Sequence, residues 1–363
     1  MPALATRLVP LPEACGQVLA TDLVALTDLP AADNSAMDGW AVAGPPPWRV
    51  GGGLLLSAGE CAAIATGAVL PPGADAVLPI EHSVRNHLGV HPTVPAEQRR
   101  THVRRAGEEA RAGDLLAPRG TRVTPPVVGL AAAAGHDVLP VVPSARVDVL
   151  VLGDELAVAG IAVHGQVRDA LGPQLPAWLV ALGCAAPTVT RLPDSGDLLD
   201  AALAGSDADV IVTTGGTGPG PRDHVRDAVL RAGGRLLVDG VQVKPGHPML
   251  LAALPDGRRL VGLPGNPLAA CVALLTLLEP LLMSLHGRAP AAPATRVLGA
   301  DEPGRPGDGH RLLPVRQDGE VAVPLPSCGS AMLRGLAQAS GLVVVPPGGA
   351  LRGDRVEHLP LPW

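Results

Sequence analysis

The hydrophobic and polar positions of the chain change their pattern near Arg146. From there to about residue 285, short runs of aliphatic residues alternate with longer amphipathic segments. The runs that start at Val147 (VDVLVL) and Asp209 (DVIVTT) predict buried strands, and the segments near Leu175 and Leu198 predict helices. Strands that alternate with helices predict a doubly wound, mostly parallel sheet, and such sheets bind ligands at the carboxyl ends of their strands.

The regions on either side have a different pattern. A short amphipathic piece is predicted at Leu11–Leu23, residues 33–104 show strand-like runs between Gly and Pro turns, and Pro125–Ala134 predicts a helix that ends at Gly135. After the proline-rich stretch Ala289–Ala294, short apolar runs predict a small C-terminal β domain. We therefore expect a multidomain protein in which an α/β domain is combined with β-rich modules.

The apolar run Leu268–Leu285 is nearly long enough to cross a bilayer. Glu279 and Pro280 interrupt it, and it follows Asn266 and Pro267, which suit the N-cap and the first position of a helix. The sequence therefore predicts a buried helix and no membrane segment.

Composition restricts the classes of ligand. The chain has four Trp but no Phe or Tyr, so aromatic platforms for single-stranded nucleic acid are nearly absent. A formal charge of −6 argues against nucleic acid or an anionic membrane as the main partner and favours small molecules. The five cysteines form no C-x-x-C pair and the N-terminus lacks a signal-peptide pattern, so we expect a cytoplasmic protein without a disulfide framework or a zinc site.

A glycine-rich loop, Gly215–Gly220, follows the predicted strand DVIVTT and precedes a predicted helix at Val225–Ala232. Glycines let backbone N–H groups approach a phosphate, and the N-terminus of a helix attracts anions. The loop has no lysine after its glycines and does not fit G-x-G-x-x-G, so neither common phosphate fingerprint applies. A tight turn in which Asp223 is the helix N-cap explains the same residues about as well.

Three junctions after predicted strands carry glycine or acidic residues: Gly153–Glu155, the glycine-rich loop, and Leu263–Pro267. Together they predict a cleft at one edge of the sheet, with amides for a phosphate and with Asp154, Glu155 and Asp223 for a divalent cation. Taken alone, each acid is better explained as an N-cap or a solvated turn.

One lysine accompanies these loops. Lys244, in a Lys-Pro-Gly-His-Pro run, would bring an ammonium group to the same sheet edge, where it suits an oxyanion. The alternative is a surface turn. The sequence contains no Ser/His/Asp set whose geometry can be predicted.

The segment Asp33–Val42 (DNSAMDGWAV), preceded by Pro30, resembles the signature of the molybdopterin molybdotransferases, the family of MoeA and the gephyrin E domain. Shorter matching stretches follow in the same order along almost the whole chain, at residues 66–68, 73–77, 104–108, 113–114, 120–121, 153–156, 244–246, 262–267 and 340–342. Because the match is collinear over such a length, the resemblance to this family is strong.

The resemblance implies an enzyme of molybdenum cofactor biosynthesis that inserts molybdate into adenylated molybdopterin and releases AMP with the support of Mg²⁺. It implies a homodimer whose active cleft lies between the molybdopterin-binding α/β domain of one subunit and the β-rich domain of the other. A molybdopterin adenylyltransferase and molybdoenzyme apo-proteins are the implied protein partners. The implied domains are residues 1–32 with 105–142 (domain I, small and mixed), 33–104 (domain II, β-rich), 143–288 (domain III, α/β) and 289–363 (domain IV, β).

By motif position, Asp38 and Thr66 would lie on the domain II side of the cleft, and Glu155, Asp223 and Lys244 on the domain III side. The resemblance implies that Glu155 and Asp223 hold Mg²⁺ or its waters and that Lys244 holds an anionic oxygen. The residues expected to bind the pterin are Gly215, Gly216, Thr217, Gly218, Gly220, Pro264, Gly265, Asn266 and Pro267.

Some positions depart from the family pattern. Gly218 stands where the family has a serine, His247 where it has a second lysine, and Trp40 where it has a tyrosine. The loop Thr214–Gly218 looks more like that of the molybdopterin adenylyltransferases, which share the α/β domain but lack the Asp33–Val42 signature. Two alternatives therefore stand beside the transferase: a diverged adenylyltransferase or hydrolase, and a non-catalytic cofactor-binding or scaffolding protein.

Overall fold

The computed structural model describes residues 3–51, 55–95, 101–220, 223–289, 292–304, 307 and 309–363. Two compact units are present. The N-terminal unit consists of Arg7–Cys15 and Leu19–Val141, and the C-terminal unit consists of Val142–Trp363 with Gly16–Val18 and Met1–Thr6. The four-domain boundaries stay a prediction, and residues 290–291 of the proline-rich stretch lie outside the described residues.

Up to Val142 the described residues form short strands and short α-helices. The strands are β1 (Arg7–Pro10), β2 (Val18–Leu19), β3 (Leu23–Val24), β4 (Asn34–Ser35), β5 (Gly39–Val42), β6 (Arg49–Val50), β7 (Glu60–Ile64), β8 (Ala76–Pro79), β9 (Ser83–Asn86), β10 (Gly89–Pro92), β11 (Val103–Arg104), β12 (Leu115–Ala117) and β13 (Val138–Val142). The helices are α1 (Leu11–Ala14) and α2 (Pro125–Ala133), with a 3₁₀ turn at Ile80–His82.

The β-rich module contains a four-stranded sheet in the order β6-β7-β5-β8. Its small core includes Trp40, Trp48 and Cys61. Helix α2 has Pro125 at its first position and ends before Gly135, whose φ is +95°, so the predicted helix and its terminal glycine are confirmed. The amphipathic prediction for Leu11–Leu23 is wrong beyond α1, because the chain turns at Gly16 (φ +89°) and continues as short strands.

The C-terminal unit alternates strands and helices and then continues as strands. Its strands are β14 (Val147–Leu152), β15 (Leu156–Ala157), β16 (Val167–Arg168), β17 (Thr188–Leu192), β18 (Val210–Thr214), β19 (Arg235–Asp239), β20 (Val243–Lys244), β21 (Leu250–Ala253), β22 (Arg259–Leu263), β23 (Ala294–Leu298), β24 (Glu302–Pro303), β25 (His310–Asp318), β26 (Val321–Pro324), β27 (Gly341–Val345), β28 (Gly349–Ala350) and β29 (Arg355–Pro360). The helices are α3 (Leu171–Ala181), α4 (Gly196–Gly205), α5 (Val225–Arg231), α6 (Pro267–Ala273) and α7 (Glu279–Leu285). A π-helical turn at Leu274–Leu278 joins α6 to α7, and a 3₁₀ turn lies at Leu336–Gln338.

Six strands form the α/β sheet in the order β17-β14-β18-β22-β21-β19. The first four are parallel, and β21 and β19 are antiparallel to their neighbours. Side chains alternate across β14, so Val149 packs in the same core as Leu175 of α3, whereas Leu150 packs with Leu203 of α4 and Val229 of α5. Helices thus cover both faces, and the predicted doubly wound, mostly parallel sheet is confirmed.

The last part of the chain forms a second sheet in the order β20-β25-β26-β23-β29-β27. Because β27 also pairs with β25, five of these strands close on themselves, and β20 adds to the edge of β25. Leu313, Val315, Val343 and Val345 fill the interior of this barrel. The predicted small C-terminal β domain is confirmed.

Within the described residues, the segment Pro267–Leu285 is long and apolar enough to cross a membrane, with 19 residues and a mean hydropathy of 2.1. The side chains of this segment lie mostly inside the protein, with 67% of the apolar window buried. Leu268, Val272 and Leu275 belong to the largest core of the C-terminal unit. This burial agrees with the predicted core helix.

The barrel contains a buried histidine. His358 is 3% exposed, and neither of its ring nitrogens has a hydrogen-bond partner among the described residues. Burial, and to a smaller extent the charge of Arg296, lowers the pKa of His358. The unfolded chain therefore takes up a proton near pH 6.5, whereas the folded ring takes it up only at a lower pH. The contribution of His358 to the free energy of unfolding is fully present above the pKa of the unfolded chain. It is lost as the pH falls through the lower pKa of the folded ring.

We expect the urea midpoint of the wild-type protein to fall relative to that of His358→Leu as the pH is lowered from about 8 to about 5. The matched control is His310→Leu, because His310 lies on the same barrel but is exposed. Wild-type and His358→Leu midpoints that change in parallel over this pH range would contradict the assignment.

Candidate active site

Three neighbouring strands bring the predicted loops to one edge of the α/β sheet. β14 pairs in parallel with β18, where Val151 lies opposite Thr214, and β18 pairs in parallel with β22, where Thr214 lies opposite Leu263. The chain leaves all three strands at the same level, so the loops that begin at Gly153, Gly215 and Pro264 are neighbours. The prediction that these junctions share one sheet edge is confirmed.

The loops after β18 and β22 are in direct contact. The amide of Gly215 donates a hydrogen bond to the carbonyl oxygen of Leu263, with an N···O distance of 2.8 Å. A Cβ atom built on Gly265 would lie 3.6 Å from the Cα of Gly215, and one on Gly216 would lie 3.1 Å from the side chain of Leu152. The edge is therefore formed mainly by closely packed backbone.

Two successive glycines turn the backbone after β18. Gly215 and Gly216 have φ angles of +76° and +65°, a region that side-chain-bearing residues rarely adopt. Thr217 is 2% exposed, and its methyl group packs at Gly262, where a Cβ atom would lie 2.7 Å from it. Among the described residues, the amides of Gly216 and Thr217 have no hydrogen-bond acceptor. Neither donor is therefore used within the described part of the chain, where Gly216 is half-buried and Thr217 is buried.

Asp223 closes the glycine-rich loop on itself. Its Oδ1 accepts a hydrogen bond from the Gly218 amide at 2.9 Å, and its Oδ2 accepts one from the Gly220 amide at 2.8 Å. Helix α5 instead has His224 at its N-cap, without a side-chain capping bond. The alternative of Asp223 as an N-cap is therefore wrong. The predicted cradle is also partly corrected, because the Gly218 and Gly220 amides already have an acceptor.

The acids after β14 differ in their contacts. Asp154 accepts a hydrogen bond from the amide of Asp194 at 3.2 Å, so it fastens the loop after β17. Glu155 is exposed, and its carboxylate accepts no hydrogen bond within the described part of the chain. No three His, Cys, Asp or Glu residues among those described are arranged to hold a metal ion. The structure does not bring Asp154, Glu155 and Asp223 together as one set of three, and a cation site at Glu155 and Asp223 stays a prediction.

Lys244 lies on a different sheet from the one predicted. It is the last residue of β20, which pairs with the barrel strand β25, so Lys244 lies opposite Arg311. A Cβ atom built on Gly246 would lie 3.5 Å from the carbonyl oxygen of Ala269, in the first turn of α6. The Lys-Pro-Gly turn therefore packs on the helix that follows the Pro264–Pro267 loop.

Two further residues near these loops were not found from the sequence. Arg311, opposite Lys244, pairs with Glu302 at 2.6 Å, and both side chains are largely buried. The carbonyl oxygen of Ser330 accepts hydrogen bonds from the amides of Leu268 and Ala269 at the start of α6. Arg311 lies in the run HRLLPV, whose sequence predicts a strand but no functional role. Ser330 could not be found because its contact joins segments that are distant in the sequence.

The N-terminal unit brings the two predicted signature residues together. Asp38 Oδ1 accepts a hydrogen bond from the amide of Thr66 at 2.7 Å, although the residues are 28 positions apart. This backbone hydrogen bond, followed by one from the Thr66 side chain, lowers the pKa of Asp38, so its carboxylate is ionised at neutral pH. Asp38 and Thr66 belong to the N-terminal unit, whereas Glu155, Asp223 and Lys244 belong to the C-terminal unit.

Known families match this chain from end to end. Residues 1–135 match the MoeA N-terminal region (domain I and II), residues 148–284 a probable molybdopterin binding domain, and residues 301–361 the MoeA C-terminal region (domain IV). A molybdopterin molybdenumtransferase of Synechococcus elongatus is 33% identical over 95% of this chain and 91% of its own length. The chain belongs to the MoeA family of molybdopterin molybdenumtransferases.

Other members of the MoeA family are similar over the same length. Molybdopterin molybdenumtransferase 2 of Mycobacterium tuberculosis is 35% identical over 93% of this chain and 90% of its own. The crystal structure of the molybdopterin biosynthesis MoeA protein from Pyrococcus horikosii superposes with a TM-score of 0.74 at 25% identity, covering 99% of this chain and 95% of that one. The family resemblance of the Asp33–Val42 signature and the multidomain fold class are thus confirmed.

We expect Gly216→Ala to destabilise the protein for two reasons. A residue with a Cβ atom costs about 1–2 kcal/mol in the left-handed region. That atom would also lie 3.0 Å from Val225 and 3.1 Å from Leu152. Gly257→Ala is the control for the first cost, because Gly257 has φ +95° but open space around its Cβ position. The free energy of unfolding measured in urea should fall further in Gly216→Ala than in Gly257→Ala. An equal decrease in the two variants would contradict the close packing at this edge.

Proposed function

We propose that this protein is a molybdenum transferase that takes adenylated molybdopterin and molybdate, inserts molybdenum into the pterin dithiolene and releases AMP. The observation that carries the proposal is the backbone cradle formed by the loops after β14, β18 and β22 in a MoeA family member. A pterin phosphate joined to AMP carries negative charge, and backbone amides at the carboxyl ends of parallel strands are suited to bind it.

The phosphate is held by the loop after β18 in this proposal. The unpaired amides of Gly216 and Thr217 donate to its oxygens, while Gly215 and Gly265 give the ligand close access because they lack side chains. The bonds of Gly218 and Gly220 to Asp223 keep the far side of the loop in place. Pro264, Asn266 and Pro267 form the adjacent wall at the start of α6.

The donor set at this edge fits Mg²⁺, which prefers oxygen ligands and is usually held by one or two carboxylates together with substrate phosphates. Glu155 has a carboxylate without a hydrogen bond among the described residues. Asp223 uses two of about four acceptor positions on the loop amides. When bound, the cation would neutralise the charge that develops on the pyrophosphate oxygens as the bond to AMP breaks.

Lys244 is the candidate ligand for the oxyanion. Its side chain is exposed at the end of β20, and an ammonium group binds an oxyanion as a compact point charge. Arg311 on the adjacent strand adds a second positive group, partly balanced by Glu302. We assign the molybdate oxygens to this pair of cations, and the dithiolene sulfurs supply the soft ligands that capture the metal.

A second copy of the chain completes the site in this proposal. Asp38 and Thr66 would come from one copy, and Glu155, Asp223 and Lys244 from the other, as in the homodimer that the family resemblance implies. The Asp38–Thr66 hydrogen bond supports this assignment, because it presents an ionised carboxylate on a fixed loop. The five free cysteines agree with a reducing, cytoplasmic setting.

Asp38→Ala and Glu155→Ala should each reduce molybdenum insertion by about a hundredfold or more, since each removes a charged group from the reacting centre. The assay combines purified protein, adenylated molybdopterin, Mg²⁺ and molybdate, and follows AMP release and metal insertion. Asp154→Ala is the control, because Asp154 fastens a neighbouring loop. Full activity of both variants as folded dimers would contradict the site.

Mixing the two inactive variants tests the shared site. If each site takes Asp38 from one copy and Glu155 from the other, a mixed dimer contains one intact site, and an equal mixture should regain about a quarter of wild-type activity. No recovery after subunit exchange would contradict a site made from two copies.

The same assay separates the alternatives. AMP release without metal insertion would favour a hydrolase or adenylyltransferase, and binding without turnover would favour a scaffolding protein. Either result for the wild-type protein would overturn the transferase proposal.

A further inference from the structure

The start of helix α5 holds the glycine-rich loop from two sides. Asp223 accepts hydrogen bonds from the amides of Gly218 and Gly220. Three residues later, the Arg226 guanidinium donates through Nη1 to the carbonyl oxygens of Thr217 and Gly218, the latter at 2.8 Å. A carboxylate therefore holds the N–H groups of the loop, and a guanidinium holds its C=O groups.

One peptide group is held at both ends. The carbonyl of Thr217 and the amide of Gly218 belong to the same planar unit and point in opposite directions. Arg226 binds the first and Asp223 binds the second. Because glycine imposes little restriction on its own dihedral angles, such a loop would otherwise sample many orientations. The two contacts fix the plane of this peptide and, with it, the amides that precede it.

Arg226 is itself anchored to the sheet. Its Nε donates a hydrogen bond to Oδ1 of Asp239 at 2.7 Å, and its Nη2 lies 2.5 Å from the same oxygen as an ion pair. Asp239 is the last residue of β19. All three nitrogens of the guanidinium thus have partners, two toward the strand and one toward the loop. The planar guanidinium is suited to such a link, which a lysine ammonium cannot reproduce.

The position of Asp223 also explains Gly218. A Cβ atom built on Gly218 would lie 2.8 Å from Oδ2 and 3.3 Å from Cγ of Asp223, closer than side chains pack. A serine at this position would displace the carboxylate. Glycine at this position leaves both loop contacts of Asp223 undisturbed.

We propose that Arg226 and Asp239 are positioning residues that preset the glycine-rich loop for the substrate phosphate, in a loop whose position 218 must remain glycine. This inference rests on the proposed function for the identity of the phosphate ligand. Arg226 contacts the loop carbonyls and not the substrate. The loop offers the pterin phosphate a preordered backbone in place of a serine hydroxyl, so its disruption weakens binding of the phosphate-bearing substrate more than it slows the bond-breaking step.

Arg226→Lys and Asp239→Asn test the link. Each should raise KM for adenylated molybdopterin by about tenfold and leave kcat within about twofold. The double variant should raise KM no more than either single variant does, because both substitutions break the same link. Arg231→Lys and Asp200→Asn are the matched controls. Arg231 ends the same helix and makes a two-bond pair with Asp200, which leaves the loop untouched. Variants that change kcat alone, or that match the controls, would overturn the proposal.

Amide hydrogen exchange on the ligand-free protein gives a readout that does not depend on the substrate. The Gly218 and Gly220 amides should exchange at least about tenfold faster in Arg226→Lys and Asp239→Asn than in wild type or in the controls. Unchanged exchange would contradict the positioning role even if the transferase assay succeeds. A wild-type protein without turnover but with the expected exchange would contradict only the proposed function.

Gly218→Ser tests the remaining part of the inference. Displacement of Asp223 should speed exchange at Gly220 and raise KM. A serine variant with slower exchange and higher activity would show that the hydroxyl improves this loop and would overturn the requirement for glycine.

Discussion

The candidate active site depends on the parallel, in-register hydrogen bonding of β14, β18 and β22. Parallel strands end at one edge, so three loops that are far apart in the sequence begin side by side. The Gly215 amide then joins the loop after β18 to the last residue of β22. A slip of either pairing by one residue would exchange the two faces of a strand that is buried on both sides. The same packing that stabilises the sheet therefore places the backbone that we propose binds the ligand.

Aspartates that accept backbone amides are the second recurring feature. Asp33 accepts the amide of Ala106 at 2.8 Å, Asp38 accepts that of Thr66, and Asp223 accepts two amides of its own loop. Each bond fastens one functional loop to another or closes it. Charge-assisted bonds of this kind are stronger than neutral ones. The chain has no Phe or Tyr with which to pack these segments, and it orders them through such polar contacts.

The sequence predicts those parts of the fold that have a strong periodic signal. The strands β14, β18 and β22 are aliphatic runs, and the order of strands and helices predicts the edge at which their loops meet. Helix α3 begins earlier than the apolar segment near Leu175, because the buried Asp169 carboxylate accepts the amides of Leu171 and Gly172. A capping contact of this kind leaves no hydrophobic pattern.

The errors at the candidate site have a common physical cause. Lys244 sits on a strand of only two residues, which is too short to show a period and which joins the barrel instead of the parallel sheet. The position of Asp223 just before a helix predicts an N-cap. In the structure the glycine-rich loop instead folds back, so that the Gly218 amide reaches the Asp223 carboxylate. The contacts of Ser330 and Arg226 depend on tertiary structure, which local sequence propensity does not predict. The resemblance to the MoeA family identified residues, and the packing determines what each of them contacts.

We propose above that the backbone cradle at the sheet edge binds the pterin phosphate. The most direct measurement is a crystal structure of the dimer with adenylated molybdopterin. We predict phosphate oxygens within hydrogen-bond distance, about 2.7–3.2 Å, of the amides of Gly216 and Thr217. A pterin phosphate bound away from these amides would contradict it.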